Sequence, residues 1–206
     1  MTQKYIYVDK VGAGPEHPDK QWGLYSKILT PEKAEARYTL NAMHRAKWFG
    51  VVLEHGNERP VAYLQVCPRA NGVVLQKLNR SGSIEASYTW VAYYTPQKLL
   101  AYEGAEERVF FAGVTQYTYP DNDTFYRQNQ SLKHTTISFR PDGYAKEEKV
   151  TKHGFGEPSD VELSEFQNVD VSANWFTIPE FGDWTAFFHP ETKVLFDDFG
   201  LTKKAK

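Results

Sequence analysis

From position 47 onward the chain alternates short β-branched and aromatic runs with Gly- and Pro-containing connections, and this punctuation limits the fold more than any other feature. Runs at 48–53, 61–67, 73–78, 83–94, 109–119, 133–140, 144–151, 175–178, 184–188 and 194–196 are separated by segments such as Pro68-Arg69-Ala70-Asn71-Gly72, Asn79-Arg80-Ser81-Gly82 and Pro141-Asp142-Gly143. A further run, Tyr5-Ile6-Tyr7-Val8, precedes them. This reads as about ten or eleven strands joined by turns of hairpin length. Parallel neighbours would need crossovers of about a dozen residues or more, so antiparallel pairing is expected. A sheet with so many strands curls, splits into layers or closes. The expected fold is mainly β: an antiparallel up-and-down meander closed into a lipocalin-like barrel, with a two-layer β-sandwich as the alternative. No repeat of fixed period supports a propeller or solenoid.

One helix is expected, at about residues 31–46, packed outside the barrel or across a mouth. Thr30 can cap it, Pro31 suits its first position, and Glu32 and Glu35 favour the positive end of its dipole. Ala36, Leu40 and Met43 fall on one face at helical spacing. With 206 residues the chain can bury one proper core, so a single domain over 1–206 is expected: this helix, a meander over 47–196 and a short basic tail.

Charge narrows the classes of partner. Lys and Arg number 24 against 26 Asp and Glu, a net charge of −2, without the basic excess that phosphate contacts require. Nucleic acid is therefore not an expected partner. The basic end Lys203-Lys204-Ala205-Lys206 lacks the second signal needed for stable membrane anchoring, and no run approaches the 18 or so apolar residues of a spanning helix. No signal peptide is legible at the start, so a cytoplasmic location without membrane association is the expectation. The one cysteine, Cys67, excludes an internal disulfide and reads as a small buried thiol within Val61-Ala62-Tyr63-Leu64-Gln65-Val66-Cys67.

Motifs that carry chemistry are absent or incomplete. Gly12-Ala13-Gly14-Pro15 lacks the third glycine and the βαβ setting of a dinucleotide turn. Asp198-Phe199-Gly200 stands without the other kinase signatures. Asp121-Asn122-Asp123 opens like a calcium loop, but Tyr126 and Leu132 occupy the positions that need Gly and Glu. The histidines at 17, 44, 55, 134, 153 and 189 are never two to four residues apart, so no local metal clamp exists and neither a metal nor a cofactor is expected. Glu54, Glu85 and Asp183 are the carboxylates placed to lie against aromatic rings, where burial would raise a carboxyl pKa toward general-acid use.

The aromatic residues carry the functional expectation. Thirteen Phe, thirteen Tyr and five Trp make up 15% of the chain. On 84–94 one alternation groups Ala86, Tyr88, Trp90 and Tyr94. On 109–119 Phe111, Tyr117 and Tyr119 share one side, and His134, Thr136, Ser138 and Arg140 form a polar face. Tyr and Trp have polar tips that need partners when buried, which favours a lined pocket or contact surface over a dry core. The expected function is binding of a small apolar or aromatic ligand in a barrel cavity lined by Tyr88, Trp90, Tyr94, Tyr117 and His134. Metal-free acid–base chemistry of isomerase, cyclase or lyase type is open in the same cavity, and enzyme status is undecided. The alternative is a protein-binding module such as an inhibitor, immunity or adaptor protein, using the polar segments 121–130 and 154–170. Strands apolar on both sides need a second cover, and a homodimer is one way to supply it.

Overall fold

A computed structural model describes residues 5–11, 27–39, 47–53, 59–67, 72–93, 107–154 and 157–190. Its elements run β1 (Tyr5–Val8), α1 (Pro31–Thr39), β2 (Phe49–Leu53), β3 (Ala62–Cys67), β4 (Gly72–Leu78), β5 (Ile84–Val91), β6 (Arg108–Thr118), β7 (Lys133–Phe139), β8 (Ala145–Thr151), β9 (Asp160–Phe166), β10 (Trp175–Thr177) and α2 (Thr185–Phe188). The ten strands form one antiparallel sheet in sequential order from β1 to β9, with β10 added beside the first residues of β6. The expected meander is therefore present.

Closure is not. Among the described residues β1 pairs with β2 and on its other side bridges only to Ile28, and β9 pairs only with β8, so the sheet is open. Nor do the described residues form a second sheet of the kind a sandwich requires, because β10 joins the same sheet. The physical reason lies in what covers the apolar face. Residues 176–188 run across it, with Phe176, Trp184, Phe187 and Phe188 all buried. Phe187 meets Trp90 edge-on at 5.0 Å, Trp184 meets Tyr38 edge-on at 5.4 Å, and Phe188 stacks on Tyr5 at 5.9 Å. Rings from the C-terminal part of the chain fill the volume that a closed barrel would have enclosed. The run 184–188 was expected as a strand; instead α2 is a short helix, whose three- and four-residue spacing turns Trp184, Phe187 and Phe188 toward the same core.

The helix α1 begins as its capping residues imply, with the Lys33 amide within 3.4 Å of the Thr30 hydroxyl. Its buried face is Ala34 and Tyr38, not Ala36, which is exposed; Leu40 and Met43 lie outside the described residues. Tyr38 donates its hydroxyl to the Pro179 carbonyl, which ties α1 to the same C-terminal segment.

A bulge resets the faces of β6. Thr89 pairs with Gly113 but Trp90 pairs with Phe111, so Phe111 joins Val114 on the core face and parts from Tyr117. At Gly113 the backbone has φ +152°, and a Cβ there would stand 2.2 Å from the Ile137 carbonyl oxygen. The segment 154–170, expected as a loop, contains β9, which pairs with β8 over its full length. The opposite face of the sheet carries a smaller cluster, Val8, Val52, Tyr63, Leu78 and Ile84, with Tyr117 packed against it. Among the described residues no helix is long and apolar enough to cross a membrane.

Candidate functional site

The expected lining residues divide between the two faces of the sheet. Tyr88 and Trp90 point into the main core, where Trp90 is 1% exposed and touches Phe111, Phe176 and Phe187. Its indole N–H has no hydrogen-bond acceptor among the described residues. Tyr117 and His134 are cross-strand partners on the other face, with ring centroids 6.2 Å apart and both half-buried. Gln128 donates to the Tyr117 hydroxyl at 3.0 Å, and burial pushes that phenol up. Tyr94 lies outside the described residues, as does Glu54. Glu85 and Asp183 are exposed, and Cys67 is buried and outside any disulfide. The strand order sets this division: a bulge and the alternation of the pleat place Trp90 and Tyr117 on opposite sides, however close they lie in the sheet.

A different constellation forms where the start of the chain meets α1. The backbone at 27–29 runs alongside β1, with Leu29 N donating to Tyr7 O and Asp9 N to Lys27 O, each at 2.8 Å. That pairing delivers Thr30 and hence α1 to a fixed place, and the last turn of α1 then carries Arg37 over Asp9. The guanidinium of Arg37 pairs with the Asp9 carboxylate and also reaches the Trp48 carbonyl at 3.5 Å. Arg37 holds the Asp9 carboxyl below its ordinary value of 3.8, chiefly through the hydrogen bond.

These residues border an open cleft of about 650 Å³, lined by Asp9, Lys10, Val11, Arg37, Lys47, Trp48, Phe49 and Gln65. Phe49, 2% exposed, closes the apolar floor, while the Trp48 ring stands 39% exposed at the side. Gln65 donates its amide to the Val11 carbonyl at 3.1 Å, fixing the strand that carries the acidic and basic residues. Three cations, Lys10, Arg37 and Lys47, face a single carboxylate, Asp9. Lys10 and Lys47 are both exposed, and only Arg37 is tied to Asp9. The cleft therefore offers positive charge beside an exposed indole, an arrangement that attracts anions and stacks flat rings.

No strand periodicity points to this group, because its members come from the end of β1, the last turn of α1, the start of β2 and the middle of β3. The one sequence signal was Lys47-Trp48, a large ring next to a cation at the head of a strand. Among the described residues no three His, Cys, Asp or Glu side chains are gathered as a metal site would require. Comparison of the chain with models of protein families, with curated proteins and with solved structures finds no match.

Proposed function

We propose that this protein binds a small anionic molecule with a flat apolar portion in the cleft between α1 and β1–β3. The observation that carries the reading is the pairing of the exposed Trp48 ring with three cations and one carboxylate around about 650 Å³ of open volume. That volume lies within the usual range for small-molecule sites. The ligand expected from the strand faces was small and apolar or aromatic; this reading adds an anionic group and moves its place from a barrel interior to the cleft. A ligand in the interior would have to displace the rings of residues 176–188 that pack on Trp90 and Tyr5.

The reading is of binding rather than acid–base turnover. A general acid or base works best with a pKa near the operating pH, whereas Arg37 drives the single cleft carboxylate the other way. The anionic group of the ligand sits beside Lys10 and Lys47, and its ring lies against Trp48. Arg37, already engaged by Asp9, contributes field more than direct contact.

The test uses 1-anilinonaphthalene-8-sulfonate, which joins a sulfonate to flat rings, and its uncharged analogue N-phenyl-1-naphthylamine. Saturable binding of the sulfonate is expected, weakened at least tenfold in Lys10→Glu/Lys47→Glu and in Trp48→Ala, and weakened by salt. Unchanged unfolding midpoints in the variants establish that the site, not the fold, was altered. Equal affinity for the neutral analogue, or equal binding by the charge-reversed protein, overturns the reading.

A further inference from the structure

β9 is the last strand of the sheet. It pairs with β8 through all seven of its residues, and among the described residues its other edge has no strand beside it. Its outward backbone N–H and C=O groups form a ready template for another strand. Edge strands in natural proteins are commonly blunted by lysine, proline, a bulge or extreme shortness. β9 has none of these and is protected by acidic charge alone: Asp160-Val161-Glu162-Leu163-Ser164-Glu165-Phe166 contains neither Lys, Arg nor Pro, and its register with β8 is unbroken.

The strand also exposes apolar side chains. Val161 and Leu163 are 59% and 53% exposed. The register places them on one face with Val150 and Glu148 of β8, and beyond these with His134 and Thr136 of β7. The charge is of one sign. Residues 157–170 carry Glu157, Asp160, Glu162, Glu165 and Asp170, with no Lys or Arg. The nearby lysines of β8 are committed within their own strand, Lys146 to Glu148 at 2.9 Å and Lys149 to Glu147 at 3.2 Å. On β9 itself Glu165 accepts from the Tyr144 hydroxyl at 2.9 Å and Asp160 meets His153 at 2.7 Å. The carboxylate of Glu162 has no partner among the described residues.

We infer that the edge of β9 docks an extended basic segment of another protein, added to the sheet as an antiparallel strand. Main-chain hydrogen bonds to β9 supply the affinity, and alternate side chains supply the selection. The segment alternates apolar and basic residues: the apolar ones cover Val161 and Leu163, and Lys or Arg lie beside Asp160 and Glu162 on the other face, while Glu165, on the face of Val161 and Leu163, accepts from Tyr144. A second copy of this chain is the poorer occupant, because pairing β9 with itself brings together three carboxylates from each copy. The site lies at the opposite end of the strand order from the Trp48 cleft, so the two can fail independently.

The experiment measures fluorescence anisotropy of a labelled, end-capped peptide Lys-Val-Lys-Val-Lys-Val-Lys with the full chain at low salt. A companion peptide has proline in place of the central valine, which keeps the charge but cannot complete a strand. The strand peptide is expected to bind, and affinity falls at least tenfold with the proline peptide and with the Asp160→Lys/Glu162→Lys protein. Hydrogen exchange is expected to slow at the amides of β9. Near-ultraviolet circular dichroism checks that the variant is folded. No binding at about 1 mM peptide, equal binding of the proline peptide, or protection confined to residues away from β9 overturns the proposal. So does a stable dimer, seen by light scattering, that disappears in Leu163→Lys, since it would make a second copy the occupant.

Discussion

The indole N–H of Trp184 reaches the hydroxyl of Tyr7 at 3.4 Å, joining side chains 177 positions apart. Trp184 is fully buried, and its ring also meets Tyr38, Phe49 and Phe181. Strand β1, helix α1 and the C-terminal segment therefore share one anchor. Truncation to Trp184→Ala is expected to cost about 3–5 kcal/mol, the loss typical of a large buried ring. Tyr7→Phe removes only the acceptor and leaves a buried N–H unpaired, at about 1–3 kcal/mol. Urea denaturation of both variants measures this. A loss below about 1 kcal/mol for Trp184→Ala would show that residues 176–188 do not belong to the core.

Tyr119 gives the fold an alkaline limit. Its hydroxyl donates to the Ile84 carbonyl at 2.7 Å, and burial pushes the phenol up to about 12. The neutral form is the one the fold stabilises, so this contribution is fully present below the ordinary value of 10.0 and is lost as pH rises through about 12. Tyr119→Phe is expected to lose about 0.5–1.5 kcal/mol at neutral pH and to flatten the fall in stability across that window. Denaturant midpoints taken at rising pH decide it, and parallel curves for the two proteins would contradict it.

Asp9 acts at the acid end. Its folded pKa is depressed by Arg37, so its contribution is present above the ordinary value of 3.8 and is lost as pH falls through the lower folded value. The pair is partly exposed, and Asp9→Asn is expected to cost about 1 kcal/mol or less near neutrality. Wild-type and variant melting temperatures should converge in acid. The same substitution removes the one carboxylate among the described lining residues, so it is expected to tighten binding of 1-anilinonaphthalene-8-sulfonate. Weaker binding in Asp9→Asn would mean that Asp9 orients the site rather than opposing the anion.

Gly113 fixes the bulge that sorts β6. A methyl group there meets the Ile137 carbonyl oxygen at 2.2 Å in a backbone conformation that favours glycine. Gly113→Ala is expected to cost about 3 kcal/mol or more, because strain and contact with main chain add. Thermal unfolding reads the effect. A change below about 1 kcal/mol would show that β7 can shift away and that the bulge is not held by this contact.

The meander was legible because nearly every connection is short and carries its own turn chemistry. Pro141-Asp142-Gly143 is an example: the Gly143 amide donates to the Arg140 carbonyl at 3.1 Å, and Asp142 accepts from Tyr144 N at 3.0 Å. β9 escaped notice because Asp160, Glu162, Ser164 and Glu165 leave it only two aliphatic residues, Val161 and Leu163, and an exposed edge needs no apolar face to form. The helical state of residues 185–188 was hidden for the opposite reason, since aromatic residues fit a strand or a single helical turn equally well until their packing partners are known.

The site was less legible than the fold. Alternation grouped Tyr88 with Trp90, which share the core face, but also Phe111 with Tyr117, which the bulge parts, and it carried no sign of which group faced the interior. The cleft residues Lys10, Arg37, Lys47 and Trp48 have no shared period at all.

By itself, then, the order of runs and turns determined an antiparallel sheet with strands in sequence, because each hairpin is specified by neighbours in the chain. Tertiary structure alone decided that the sheet stays open and that residues 176–188 fill its apolar face. It also decided that charge gathers beside Trp48 and that the acidic β9 ends the sheet among the described residues. Those outcomes depend on contacts between residues as distant as Tyr7 and Trp184. Such contacts are settled by shape and burial, which local pattern does not encode.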